Sequence, residues 1–235
     1  MNFMLQDSQI AVIIGASGGI GAALTAALQT RLGADRVIAL SRSSSPMLDL
    51  TDEASIAAAA AYVKADGRSI GLVFDATGYL HGQGFMPERS WRELDAEHLA
   101  LDYAINTIGP ALLMKHFLPV LPRQGRSIFA TLSARVGSIS DNKLGGWHSY
   151  RASKAALNQM VRTCSVELKR KKPEAICIAM HPGTVRSALS EPFSKSGLDV
   201  RAPKTAAEDL LRVLDGLSVT DSGHLFDHKA ERIDF

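Results

Sequence analysis

A chain of 235 residues with 46% hydrophobic content is long enough for one α/β domain with a sizeable core. Its net charge of +2 gives no reason to expect nucleic acid or an anionic membrane as partner, and no stretch approaches the ~20 apolar residues of a membrane span. Cys164 and Cys177 fit no metal motif and read as buried reduced thiols. With no N-terminal apolar run long enough for secretion, a cytoplasmic location is expected.

Strands are expected near 10–14, 37–41, 71–75, 127–132, 175–180 and 223–226, with a short one at 47–49. Helices are expected near 19–31, 53–65, 97–121, 147–171 and 205–217. This alternation predicts a single doubly wound α/β domain over 1–235, a Rossmann-type parallel sheet with helices on both faces. The first strand, Ile10-Ala11-Val12-Ile13-Ile14, runs into Gly15-Ala16-Ser17-Gly18-Gly19-Ile20-Gly21 and then into the helix-forming Ala22-Ala23-Leu24. Strand, glycine turn and helix is the layout that seats a dinucleotide pyrophosphate on a helix N-terminus. Gly15 would allow the tight turn, Gly19 the approach of the pyrophosphate, and Gly21 close packing of helix on strand. The spacing is Gly-x-x-x-Gly-x-Gly rather than the commoner Gly-x-Gly-x-x-Gly.

The helix expected over 147–171 carries Tyr150 and Lys154, four apart and therefore on one face. A free tyrosine keeps its proton to a pH of about 10. A fixed positive charge nearby favours the phenolate, so the pair is a way to build a proton-transfer catalyst. Taken alone, the spacing favours a surface helix with a solvated lysine, since Tyr and Lys fall four apart by chance in many chains. The basic run Lys169-Arg170-Lys171-Lys172 precedes Pro173 and reads as helix-end charge that complements the dipole.

With the glycine loop, the Tyr150–Lys154 pair resembles the short-chain dehydrogenase/reductase family over essentially the whole chain. Asn106, in Tyr103-Ala104-Ile105-Asn106-Thr107-Ile108-Gly109-Pro110, resembles the family's helix asparagine. Ser133 lies at the end of an expected strand, and His181-Pro182-Gly183-Thr184-Val185 resembles the Pro-Gly segment after the sixth strand. Ser133 to Ile139, Gly145-Gly146-Trp147, His181 to Thr184 and Ala188 to Phe193 are similar to the C-factor and sniffer-type carbonyl reductase branch.

The resemblance implies strand order 3-2-1-4-5-6-7 and a nicotinamide dinucleotide lying along Gly15, Ser17, Gly18, Gly19, Ile20 and Gly21. It would continue past Asp49, Leu50, Ala76, Thr77 and Gly78 and end against Asn106, Tyr150, Lys154, Pro182, Gly183 and Val185. Asp49 would meet the adenine amino group, or equally serve as a helix N-terminal acid. The second strand ends in Ser41-Arg42. An acid at that strand end bonds the ribose hydroxyls of NAD(H), whereas a serine and a guanidinium would bind a 2′-phosphate. NADP(H) is therefore favoured over NAD(H), although the glycine-loop basic residue of many NADP-binding relatives is replaced by Ser17-Gly18.

The implied chemistry is hydride transfer between nicotinamide and a small carbonyl or alcohol substrate. Tyr150 would be the acid/base, Lys154 would hold the ribose and lower the phenol pKa, and Asn106 would hold a water. Two positions depart from the family. Asp75-Ala76-Thr77-Gly78 stands where relatives have Asn-Asn-Ala-Gly, and an ionised Asp75 cannot donate a hydrogen bond. Aligned on Gly137, the usual catalytic serine is Ala134. Ser133, one residue earlier, is assigned as the second donor, with Ser138 as the alternative. Segment 184–204, with Leu189 and Phe193, is expected to be a substrate loop, since apolar loops often close over active sites. A homo-dimer or homo-tetramer through the helices of Asn106 and Tyr150 is expected. The competing reading is an NADP(H)-sensing signalling protein of the C-factor type.

Overall fold

The computed structural model of the chain describes residues 5, 6, 8–187, 190, 192 and 200–235. Strands β1 (Gln9–Ile14), β2 (Val37–Leu40), β3 (Ser69–Asp75), β4 (Ser127–Leu132), β5 (Ala175–His181), β6 (Leu225–Asp227) and β7 (Arg232–Ile233) form one sheet in the order β2-β1-β3-β4-β5-β6-β7. All neighbours are parallel except β6 and β7. The central strands read as unbroken apolar runs because both sheet faces are covered.

Helices α1 (Gly19–Leu32) and α6 (Pro203–Gly216) cover one face. Leu24, Leu28, Leu210 and Leu214 pack there on Ala11, Ile13, Leu72 and Phe74. The other face carries α2 (Glu53–Ala65), α4 (Gly109–Phe117) and α5 (His148–Lys171). There Ile56, Phe117, Leu157 and Val161 meet Ile10, Val12 and Ile14. Alternate residues of β1 thus serve opposite layers, as the two-residue strand period requires.

Two expected elements differ. Residues 47–49 form no strand. The Ser44 hydroxyl bonds the carbonyls of Ser41 and Pro46, and Pro46 has no N–H to give a ladder. The outer strand of the expected order is therefore missing, while the other six keep their expected sequence and β7 adds an antiparallel edge. The helix expected over 97–121 is α3 (Ala96–Tyr103), a π-helical turn over Ala104–Ile108, α4, and a 3₁₀ turn over Leu118–Val120. A π turn inside an α-helix often marks a functional position, and this one contains Asn106.

Candidate active site

The connections from β1 and β3 leave in opposite directions, which opens a crevice at their C-terminal ends. A cleft of about 460 Å³ lies there, and its walls include Gly15, Ser17, Gly18, Ser41, Arg42, Asp49, Leu50, Ala76, Thr77 and Gly78. Gly15 has φ 77°, in the left-handed region. A Cβ on Gly21 would fall 2.1 Å from the Gly15 carbonyl oxygen, so only glycine lets α1 begin this close to the loop. Gly18 is the N-cap of α1 and offers no side chain to its first amides. Those amides, from Gly19, Ile20 and Gly21 onward, suit a bound anion. The loop therefore fits a dinucleotide pyrophosphate.

Ser41 is buried, and its hydroxyl accepts from Ser43 N at 3.2 Å. Arg42 is exposed, and among the described residues it makes no ion pair. Asp49 accepts from Thr51 N at 2.9 Å and Thr51 Oγ1 at 2.7 Å, and these bonds hold its carboxyl below the usual range. The cap of α2 is Asp52, which accepts from Ala54 N at 2.9 Å, so Asp49 is not the capping residue.

Asp75 is fully buried. It accepts from Thr77 N at 3.0 Å, Thr77 Oγ1 at 2.5 Å and Thr131 Oγ1 at 2.7 Å. It braces β3 to β4 as an acceptor only. Burial pushes its carboxyl up, against these hydrogen bonds and the Lys154 charge.

Tyr150 and Lys154 both lie buried on the inner face of α5. Lys154 Nζ is 5.8 Å from the Tyr150 ring centroid and donates to Leu132 O at 2.9 Å. Burial brings Lys154 down to about 8, opposed by Asp75 and Asp102. The Tyr150 phenol is pushed up, first by burial and then by Asp102. This is opposite to the lowering expected from Lys154: the ammonium is turned to a carbonyl and shared with two acids, while the phenol is buried. Trp147 meets the ring edge-on at 6.2 Å.

Asn106 is wholly buried in the π turn. Its Oδ1 accepts from Tyr79 N at 2.9 Å, and its Nδ2 donates to Tyr79 O at 2.9 Å and Asp102 Oδ1 at 3.1 Å. It clamps the helix to the segment after β3. A Cβ at Gly78 would lie 3.8 Å from Lys154 Nζ and 3.9 Å from Asn106 Oδ1. Gly78 therefore joins this cleft to the Tyr150–Lys154 pair.

Both candidate serines hold hydrogen-bond partners of their own. Ser133 Oγ donates to Asn158 Oδ1 at 2.7 Å, toward the body of α5. Ser138 Oγ donates to Asp234 O. Ala134 instead packs in one cluster with Tyr150 and Leu80. Successive residues of extended chain point to opposite sides.

Pro182, Gly183 and Val185 follow β5, where Val185 pairs with Arg201 and Arg186 N donates to Arg201 O at 2.9 Å. The base of segment 184–204 is thus pinched together. Leu189 and Phe193, the apolar residues expected to line a substrate loop, lie outside the described residues.

Sequence reasoning missed three buried polar residues beside the pair: Glu88, His98 and Asp102. His98, Asp102 and Asn106 recur every fourth residue, a one-face pattern that was available to be read. Glu88, in a loop, has no such signal.

The family model described as enoyl-(acyl carrier protein) reductase matches residues 15–208. The C-signal of Myxococcus xanthus is 33% identical over 142 residues, 60% of this chain and 81% of the relative. The 1-hydroxy-2-glutathionyl-2-methyl-3-butene dehydrogenase of Rhodococcus sp. (strain AD45) is 31% identical over 183 residues, 78% of this chain and 76% of the relative. Among solved structures, an NADPH-bound carbonyl reductase from chicken fatty liver superposes with TM-score 0.84 at 25% identity, covering 97% of this chain and 99% of that one. Among the described residues no helix is long and apolar enough to cross a membrane.

Proposed function

Because the chain belongs to the short-chain dehydrogenase/reductase family, we propose that it is an NADP(H)-dependent, cytoplasmic oxidoreductase acting on a small carbonyl or alcohol, with Tyr150 as acid/base. The observation that carries this reading is the meeting at Gly78: the cleft that fits a dinucleotide ends beside Lys154 and Asn106, one helical turn from Tyr150. The α1 N-terminus would hold the pyrophosphate, and Ser41 and Arg42 the 2′-phosphate. Asp49, Leu50, Ala76 and Thr77 would flank the adenosine, and Pro182, Gly183 and Val185 the nicotinamide end. The NADPH bound to the chicken carbonyl reductase supports the cofactor choice.

A bound nicotinamide supplies the hydride. The chain's residues do the rest. Tyr150 donates a hydrogen bond to the substrate oxygen and gives up its proton as charge grows there, where a preorganised donor counts most. Lys154 places a positive charge beside the resulting phenolate. Asn106 holds the helix wall against the segment after β3, which keeps the proton site enclosed.

The test is NADPH oxidation by the purified protein against a panel of aldehydes, ketones and enoyl thioesters, beside Tyr150→Phe. Turnover with a carbonyl that falls at least about a hundredfold in the variant is expected, the usual scale of a lost acid/base group. A second reading, an NADP(H)-sensing signalling protein, is favoured by two observations: Ala134 at the second-donor position and the likeness to the Myxococcus C-signal. NADPH binding without turnover on any of the panel selects it.

A further inference from the structure

Behind Tyr150 lies a second buried set of charges that the reaction above does not use. Glu88, His98 and Asp102 are 2%, 2% and 0% exposed. Glu88 comes from the loop between β3 and α3 and reaches the start of α5. Its Oε2 accepts from Ser149 N at 3.2 Å, its Oε1 accepts from Ser149 Oγ, and its carbonyl accepts from Trp147 N at 2.5 Å. The same Oε1 is 3.2 Å from His98 Nδ1, and the His98 ring stacks on Phe85 at 4.9 Å. On the far side, His98 Nε2 faces Asp102 Oδ2 at 3.6 Å, and among the described residues neither atom has a hydrogen-bond partner. Asp102 Oδ1 accepts from Asn106 Nδ2 at 3.1 Å.

A wholly buried carboxyl with one oxygen unbonded is a costly place for a negative charge. The groups that face it come from several elements. His98 stands on its own helix, Glu88 in the loop, Tyr150 and Lys154 on α5, and Tyr79 after β3, while Asp75 acts through Lys154. Burial and then Glu88 raise Asp102 to about 7, with Lys154 opposing. An ionised Asp102 in turn tightens the hold of Tyr150 on its proton.

We propose that Asp102 is a positioning residue for protons: Tyr150 reduces a carbonyl while Asp102 is neutral and stalls once Asp102 is ionised. The inference rests on Tyr150 being the acid in reduction. In that step the Tyr150 O–H bond breaks and an O–H bond forms on the product alcohol, while the hydride that a bound NADPH would give up from its own C–H bond, leaving NADP⁺, forms the product C–H bond. The phenolate is then reprotonated from solvent. Asp102 exchanges no proton in the step. Its charge decides whether a second anion, the phenolate, is tolerated in the same buried surroundings. Glu88 keeps the proton on Asp102 by like-charge repulsion.

The test is the pH profile of kcat with NADPH and one accepted carbonyl. The wild-type rate should fall as pH rises through neutrality. Asp102→Asn can still accept from Asn106 and carries no charge, so its falling limb should move alkaline by roughly one pH unit or more, with KM for NADPH within about twofold. Glu88→Gln removes the repulsion, so Asp102 ionises earlier and the limb should move to the acid side. A structural role would not move the two limbs in opposite directions. Unchanged profiles, or shifts of the same sign, overturn the proposal. Independently of activity, carbon-13 NMR of labelled aspartate should show a carboxyl titrating near neutrality that is absent in Asp102→Asn and shifted acid in Glu88→Gln, distinct from that of the buried Asp75. If that carboxyl titrates in the ordinary aspartate range, the proposal fails. If it titrates near neutrality in a protein that reduces no carbonyl, the functional reading fails instead and the charge coupling stands.

Discussion

Ala134 packs in one cluster with Tyr150; if Tyr150 protonates a substrate oxygen, a hydroxyl at 134 could steady the developing charge, whereas the methyl group donates nothing. The phenol would then be the lone side-chain donor known at that oxygen. Ala134→Ser should raise kcat for an accepted carbonyl by about tenfold, less than the ~10²–10³ lost when an evolved donor is deleted, because the new hydroxyl is not preorganised. Steady-state kinetics decides it, and a slower variant would mean that the methyl is needed for substrate room. Ser133→Ala tests the other side. It removes a buried donor to Asn158 and should cost about 1–3 kcal/mol in urea unfolding, while kcat stays close to wild type. The residue type was legible in the chain and its direction was not. A strand end next to a turn leaves the facing of Ser133 and Ala134 to the local backbone, and hydrogen bonding to Asn158 settles it.

The turn after β2 replaces an expected edge strand with a cup of serine hydroxyls around Ser41, which leaves Arg42 projecting at the cleft. If Arg42 binds a 2′-phosphate, Arg42→Ala should weaken NADPH by roughly tenfold or more, since a hydrogen bond to a charged group is worth ~1.5–3 kcal/mol. NADH affinity should stay level. Fluorescence titration with both dinucleotides checks this, and an equal loss for both would end the assignment. In the long α3–α4 segment, apolar spacing predicted the helix and missed the π turn. Residue spacing reports which face is buried. Within that turn the Asn106 amide grasps both backbone groups of Tyr79, a contact across 27 residues of sequence. The start of α5 is similar: no side-chain cap bond comes from Trp147, and the acid that serves it, Glu88, lies 61 residues from Ser149.

For the whole molecule, a homodimer through the outer side of α3 and α5 is proposed. A concavity of about 600 Å³ there is lined by Tyr103, Ala152, Ala155, Ala156 and Phe235, among others, and Ile108 is exposed on the adjoining π turn. Small residues permit close helix approach. Light scattering should give at least twice the chain mass, and Ala155→Glu should reduce it to one. A monomeric wild type would remove the proposal. At this scale the layered α/β fold, the glycine loop and the Tyr150–Lys154 pair follow from sequence alone, because strand runs, turn glycines and helical spacing are local rules. The facing of Ser133, the acceptor role of Asp75, the raised Tyr150 phenol and the Glu88–His98–Asp102 set were decided only by tertiary structure. Burial and charge coupling depend on which distant segments close over a residue, and no spacing along the chain encodes that.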